Sequence, residues 1–411
     1  MANTLKFIDM VHKEALSIAH EKASFIGTTD LQYDNSFGQS GAKIGSTLRV
    51  RSPNQYTRRT GSRVMDVQDQ TEATQNITMA TQDGVDMRFN SAELTLDTDS
   101  PAEVAAFSKR YIEPAMSVLV SGIESDYIEA STKATYNVVG TAGTAMSTLS
   151  YPTLARAKLN QGLAPKDGNR CLQLDSTSMG TLVTGAASYF NPTADLSKQY
   201  REGFVNRTAM ADFYENERMW SLTNTADVTM NTNAAAGVTD GGTEVNLSED
   251  ASVAPSTGAV FTIAGVYACH PETKAAYAHL QQFVIVTGSA SAASTVSPAT
   301  ILTGAKKNMS AADGTDLATT DFDEAATVWQ GNASTTYVQP LMYHKEAFQF
   351  VTADLPLMDD AHKCTRGNMD GIALRVWMAS DIRNDELLMR LDILYGMAAL
   401  RPEWASRIIG A

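Results

Sequence analysis

Cysteine is scarce: 411 residues hold three, Cys171, Cys269 and Cys364. Widely spaced and odd in number, they build no disulfide framework and fit a reducing compartment. No apolar run reaches the roughly 18 residues that a spanning helix needs, so no membrane partner is expected. The start of the chain lacks a basic segment, an apolar run and a small-residue cleavage site, so no signal peptide is expected. Arginine is missing altogether between Arg218 and Arg366, and the net charge is −14. Such a surface does not attract nucleic acid as a whole, although local basic patches remain open.

Motifs that carry chemistry are missing too. There is no Gly-x-Gly-x-x-Gly, P-loop, His-Glu-x-x-His or Gly-x-Ser-x-Gly. Cys269-His270 with His279 lacks metal-ligand spacing. Asp313, Asp316, Asp321, Asp323 and Glu324 lack the residue order of a calcium loop and read as a solvated acidic stretch. His12, His20, His344 and His362 stand near no nucleophile pattern. The expectation is therefore no catalytic residue, no metal, no cofactor and no enzyme.

What is present is enough to fold. Apolar residues make up 43 % and charged residues 19 %, which excludes global disorder. The length implies two or three domains. The element around which the rest is arranged runs from Ser100 to about Ala134. Ser100-Pro101-Ala102-Glu103 is a capping-box start with proline at the first helical position. Two stripes follow: Val104, Phe107, Tyr111, Ala115, Val118 and Gly122, and beside them Ile112, Met116, Leu119, Ile123 and Tyr127. The spacing predicts a rod of roughly 45 Å, apolar on two sides, with a kink or short break at Pro114.

Ahead of it, Thr4 can cap an amphipathic helix with Leu5, Ile8, Val11, Ala15 and Ile18 on one side. Asp9, Glu14 and Glu21 lie elsewhere around it, as a packed arm or a docking element would place them. The serine-glycine run of residues 36–48 reads as a loop. Arg49, Arg51, Arg58, Arg59 and Arg63 then fall within a stretch free of acid. Leu48-Arg49-Val50-Arg51 and Ser62-Arg63-Val64-Met65 alternate with period two, as in a two-stranded ribbon. From Asp66 to Glu103 the sign reverses: Asp66, Asp69, Glu72, Asp83, Asp86, Glu93, Asp97 and Asp99 are opposed only by Arg88. This split allows three readings: a hairpin with its own weak ion pairs, phosphate binding by the arginines, or docking of one subunit's basic loop on another's acidic surface.

After the rod, Tyr136 to Ser150 reads as loop. Pro152 to Leu159 reads as a helix stopped by Gly162, and Arg170 to Val183 as strand and then turn. Residues 224–340 are dominated by small and polar types, with β-type runs at Ala259–Ile263 and Gln282–Val286. They read as an all-β module inserted into a host that resumes near Tyr343. Asn224–Asp240 and Ser289–Ser297 read as loops. Leu374, Val376 and Met378, and then Leu387, Met389, Leu391 and Ile393, alternate around Ser380–Asp385 as a hairpin. Tyr395-Gly396 is expected to end it.

Several stretches together resemble one family, the major coat proteins of short-tailed phages of the Salmonella P-twenty-two type. They are YDNSFGQSGAKIGSTLRVRSP (33–53), FNSAELTL (89–96) with Arg110–Ala115, FTIAGVYACHPETKAAYAHLQQFVI (261–285), and YHKEAFQFVTADLP (343–356). The most specific is RVWMASDIRNDELLMRLDILYGMAALRPEWASRI within 371–409.

The resemblance implies an α+β chain with the tailed-phage capsid, HK-ninety-seven-like, fold: a long spine helix, an extended β loop and an inserted β-barrel domain. It divides the chain into an N-terminal arm (1–40), the extended loop with flanking strands (41–98), and the spine helix of a peripheral domain (99–135). An axial domain follows (136–223, returning at 341–370), interrupted by the insert (224–340), and a C-terminal hairpin and tail close the chain (371–411). The implied function is a structural capsid protein that assembles with itself as pentamers and hexamers into an icosahedral shell. Its partners would be a scaffolding protein, a portal protein and packaged double-stranded DNA bound without sequence specificity. Its place would be the virion, after assembly in the host cytoplasm. On this reading Arg49, Arg51, Arg58, Arg59, Arg63, Asp66, Asp69 and Glu72 are inter-subunit contact candidates, and Asp9, Glu14 and Glu21 are scaffold-docking candidates. A tail or adhesin protein would share the β module but would leave the long capped helix unexplained. A cytoplasmic enzyme would need a converging site, and none can be assembled from these residues.

Overall fold

The structure is a computed structural model. It describes residues 15–17, 23–34, 47–61, 63–65, 67–68, 72, 74–90, 108–186, 211–225, 229–233, 238–247, 253–290, 293–358, 363–369 and 371–410. The Ser100 start signal, Asp9, Glu14, Glu21, Asp66, Asp69 and His362 lie outside them. The described chain mixes helix and sheet, so the α+β class read from the sequence holds. It divides into two compact units, one of residues 1–50, 75–127 and 348–398, the other of 51–74, 128–347 and 399–411.

The first unit is built on a six-stranded sheet. Asp30–Asp34 runs parallel to Phe348–Ala353, followed by Glu386–Ala399, Ile372–Asp381 and Lys363–Met369; Thr81–Asn90 also pairs with Glu386–Ala399. The terminal hairpin appears as its alternation predicts. It does not end at Tyr395-Gly396, because the strand continues to Ala399. A side chain at Gly396 would lie 2.6 Å from the Thr78 carbonyl, so this glycine permits a close backbone approach instead of stopping the strand.

The spine helix is Glu113–Ala134, preceded by a π-helical stretch, Ser108–Ile112. The widened turn comes just before Pro114, where the missing N–H was expected to break the ladder. Of the two stripes one is core throughout its described length, while the other is buried only at Ala115 among its described residues. Ile112, Met116, Leu119, Ile123 and Tyr127 are buried, whereas Val118 on the other stripe is 68 % exposed and the space beside Gly122 is open. In the first unit the buried face meets a row of rings: Phe25 edge-on to Tyr127 (4.9 Å), Tyr127 tilted against Phe350 (5.3 Å) and Phe350 stacked on Tyr395 (5.5 Å). Glu124, fully buried on this face, accepts the Phe25 N–H and the Ser24 hydroxyl at the start of the Ser24–Thr28 helix.

The second unit holds two larger sheets. One runs Val138–Gly140, Ala405–Ile409, Leu341–His344, Arg170–Leu174, Asp212–Glu215. The segment after Arg170–Leu174 is not a turn but the helix Ser176–Ala186. Asp175 starts it by accepting the Ser178 N–H, and Gly180 and Gly185 hide its apolar spacing in the sequence. Tyr136 to Ser150 is mostly loop, with the short strand Val138–Gly140 inside it. The helix Ser150–Gln161 ends at Gly162 as expected.

The other sheet is antiparallel and belongs to the β-rich stretch: Met309–Ser310, Val260–Cys269, Ala276–Thr287, Ser294–Thr300, Gly242–Val245, with Thr327–Trp329 on Val260–Cys269. Ser294 to Ser297 is therefore strand and not loop. Its serines and threonines flank buried Val296 in a strand paired on both sides, without an apolar signature. Phe261 stacks on Phe283 (5.7 Å) and on Trp329 (4.9 Å) at the centre of this core. Val260, Val284 and Tyr337 pack with Val138 and Ile409, so the two sheets share apolar contacts.

Candidate functional site

The basic segment forms a shaped loop. Thr47–Arg51 alternates as expected, with Arg49 and Arg51 exposed and Leu48 and Val50 half-buried. Its partner is Thr74–Thr78, not residues 62–65. The stretch between is irregular because Gln68 takes the place of a strand partner. Its side-chain amide accepts the Thr57 N–H at 2.9 Å and donates to the Thr57 carbonyl at 2.7 Å. Residues 57–68 are thereby closed into a loop, turned at Gly61 with φ 81°. Within it Arg59 donates to the Val64 carbonyl.

Arg51 pairs with Glu72 at 3.6 Å, an exposed pair of small worth. Arg49, Arg58 and Arg63 make no ion pair among the described residues. The acids that follow are partly committed within the first unit. Asp83 accepts from the Tyr395 hydroxyl at 2.7 Å, Asp86 lies 3.5 Å from Arg390, and Arg88 pairs with Glu386 at 3.4 Å. The structure thus brings together Arg51 and Glu72 but places no described acid on Arg49, Arg58 or Arg63.

Sequence reasoning missed the apolar half of this loop. Val64, Met65, Val67 and Tyr56 are 76, 78, 75 and 63 % exposed, among the most exposed large apolar side chains of the described residues. They interleave with the arginines. The signal was there, as apolar residues set inside a run with no core periodicity, but it was read as a strand.

The other candidate positions are structural. Asp316 pairs with buried Lys307 at 2.6 Å, Asp313 accepts from Thr315 and Asp321 accepts the Ala318 N–H. The Nδ1 of His270 accepts the N–H groups of Glu272 and Thr273, and His279 stacks on Tyr277. Among the described residues no group of three or more His, Cys, Asp or Glu side chains could hold a metal ion, and no helix is long and apolar enough to cross a membrane.

The loop thus sets exposed apolar side chains beside arginines that meet no described acid. Residues 221–410 match the family model described as P22 coat protein, gene protein 5. Over these residues, just under half of the chain, the sequence is similar to that family of structural coat proteins.

The chain is also similar to a solved structure from Mycobacterium phage Che8 (9 % identity, TM-score 0.46, covering 92 % of this chain and 88 % of that one). Two further similar structures are the capsid of the cyanophage P-SCSP1u (12 %, TM-score 0.43, covering 93 % and 86 %) and the mature capsid of bacteriophage PhiM1 (12 %, TM-score 0.43, covering 95 % and 87 %). No curated protein matches the chain.

Proposed function

We propose that copies of this chain assemble as pentamers and hexamers into a closed icosahedral shell, and that the loop 57–68 is a principal contact between neighbouring subunits. The observation that carries this reading is the pairing of Arg58, Arg59 and Arg63 with exposed Val64, Met65 and Val67 on a loop closed by Gln68. The apolar group supplies contact area, and the guanidinium forks suit carboxylates of an adjacent copy. An exposed pair is worth only ~0.2–1 kcal/mol, yet repetition over every interface of a shell lets such pairs decide assembly while barely touching the subunit's own stability.

The domain reading goes with this: extended loop 41–98, spine helix 99–135, axial domain 136–223 with 341–370, insert 224–340 and terminal hairpin 371–411, in an HK-ninety-seven-like arrangement. A scaffolding protein docking at Asp9, Glu14 and Glu21, a portal protein and double-stranded DNA complete the partners, with assembly in the host cytoplasm. The net charge of −14 suits a container that must release its DNA.

The test is Arg58→Glu with Arg59→Glu, followed by negative-stain images and by melting of the free subunit. Closed shells for the wild type, none for the variant and nearly equal melting temperatures support the contact. Normal shells from the variant sink it. A variant that instead abolishes steep, salt-dependent binding of the free subunit to duplex DNA moves the arginines to genome binding.

A further inference from the structure

Between the Ser150–Gln161 helix and the strand Val138–Gly140 lies a cavity of about 330 Å³. Val138, Leu154 and Ala157 give it apolar wall, and Gln282 and Gln330 contribute amides. The Gln282 amide is already engaged, donating to the Val138 carbonyl at 2.9 Å and accepting its N–H at 3.0 Å. Lys158 is the charged group of the wall.

The ammonium of Lys158 makes no hydrogen bond or ion pair among the described residues. Its situation differs from that of the other described lysines. Lys133 pairs with Glu129 at 2.5 Å and lies over the Trp220 ring. Lys307 is buried but holds Asp316 and the Gly314 carbonyl, and Lys274 donates to Gln55 and to the Lys307 carbonyl. Lys306 has partners of its own, and Lys166, Lys345 and Lys363 are exposed. Lys158 alone among them combines partial burial, no acceptor and an adjoining cavity. The titratable group facing it from the neighbouring strand Ala276–Thr287 is His279, which adds no negative charge.

We propose that Lys158 is a covalent modification site, an amine that takes small apolar aldehydes entering this cavity. The neutral amine attacks the carbonyl carbon, and the π pair moves to oxygen, which gains a proton. Loss of water from the carbinolamine leaves the C=N bond of an imine. A hydride donor then delivers two electrons to the imine carbon, and a proton from water completes the secondary amine. The apolar wall of Val138, Leu154 and Ala157 holds the alkyl tail beside the amine. Burial also pushes the Lys158 ammonium down to about 8, which raises the fraction of nucleophilic amine near neutral pH. This inference does not rest on the capsid reading.

The experiment treats the full-length, unassembled chain with pentanal and sodium cyanoborohydride at pH 7.5, stopped early, and measures each lysine's alkylation by peptide mass spectrometry. Lys158 is expected to react roughly tenfold faster than Lys166, Lys345 and Lys363, because its pKa is pushed down to about 8, partly offset by lower basicity. The ratio should collapse by pH 10.5. A Lys158 rate equal to or below theirs at pH 7.5, or a ratio indifferent to pH, overturns the proposal. Ala157→Phe, on the cavity rim, should slow pentanal at Lys158 several-fold while leaving formaldehyde labelling intact. Unchanged pentanal labelling removes the cavity as the route.

Discussion

Arg375 and Asp392 stand opposite each other on paired strands, Nη2 2.6 Å from Oδ2, with side chains 5 % and 0 % exposed. Arg390 reaches the other carboxylate oxygen at 2.7 Å. On the far edge the register places Gly84 against Asp392, where a Cβ would come within 2.5 Å of Oδ1. One carboxylate thus ties two paired strands, and the glycine of the third leaves the space it occupies. Removing one partner of a buried pair strands the other charge. Asp392→Leu is expected to lower unfolding free energy by about 3–5 kcal/mol in urea titration. Arg375→Met added to it should recover part of the loss. Additive losses in the double variant would show that the pair is not the source.

Arg407 is buried beside no described carboxylate. Its guanidinium donates to the Thr135 carbonyl at 2.7 Å through Nε and to the Gly258 carbonyl at 2.7 Å through Nη1. It thereby joins the end of the spine helix to the β-rich stretch. Arg407→Met leaves those carbonyls without a donor and should cost about 1–3 kcal/mol by denaturant unfolding. A gain in stability would mean that desolvating the charge outweighs its hydrogen bonds.

His279 supplies a pH prediction. Burial, with nearby Lys158 adding to it, pushes its pKa down from 6.5 to about 4. The unfolded chain therefore binds a proton below pH 6.5 that the folded chain refuses until about pH 4. This contribution is neutral above pH 6.5 and destabilises progressively as pH falls through that window. His279→Gln should flatten the loss of melting temperature between pH 6.5 and 4. An unchanged slope relative to wild type would assign the acid sensitivity elsewhere.

The exposed apolar group of the loop separates area from charge. Val64→Ser, Met65→Ser and Val67→Ser together should leave the subunit's melting temperature within a degree or two, because these side chains bury little within the chain. Light scattering should show shell formation reduced. Undiminished assembly would leave the arginines as the whole contact.

Legibility followed the strength of local pattern. The terminal hairpin was plain because Leu374, Val376 and Met378 alternate over a strand that is half of a long pair. The spine was visible as a helix, but its buried side was not, because both stripes are apolar and only tertiary packing distinguishes Leu119 from Val118. The Ser294–Thr300 strand was hidden because small polar residues carry no hydrophobic period. Gly396 misled because a glycine that admits a neighbouring backbone looks, in sequence, like one that breaks an element. At the candidate site the arginine run was legible as charge. Closure by Gln68 was not, since a side chain bonding eleven residues back leaves no periodic trace.

That closure bears on how concentrated the subunits must be before shells nucleate. A floppy loop would have to be ordered anew at every contact, and each ordering cost would multiply through the first ring of subunits. With both backbone groups of Thr57 already held by one amide, that cost has been met in the free monomer. Gln68→Ala should therefore shift the critical concentration for assembly upward and lengthen the lag before shells appear, although Gln68 itself need touch no neighbour.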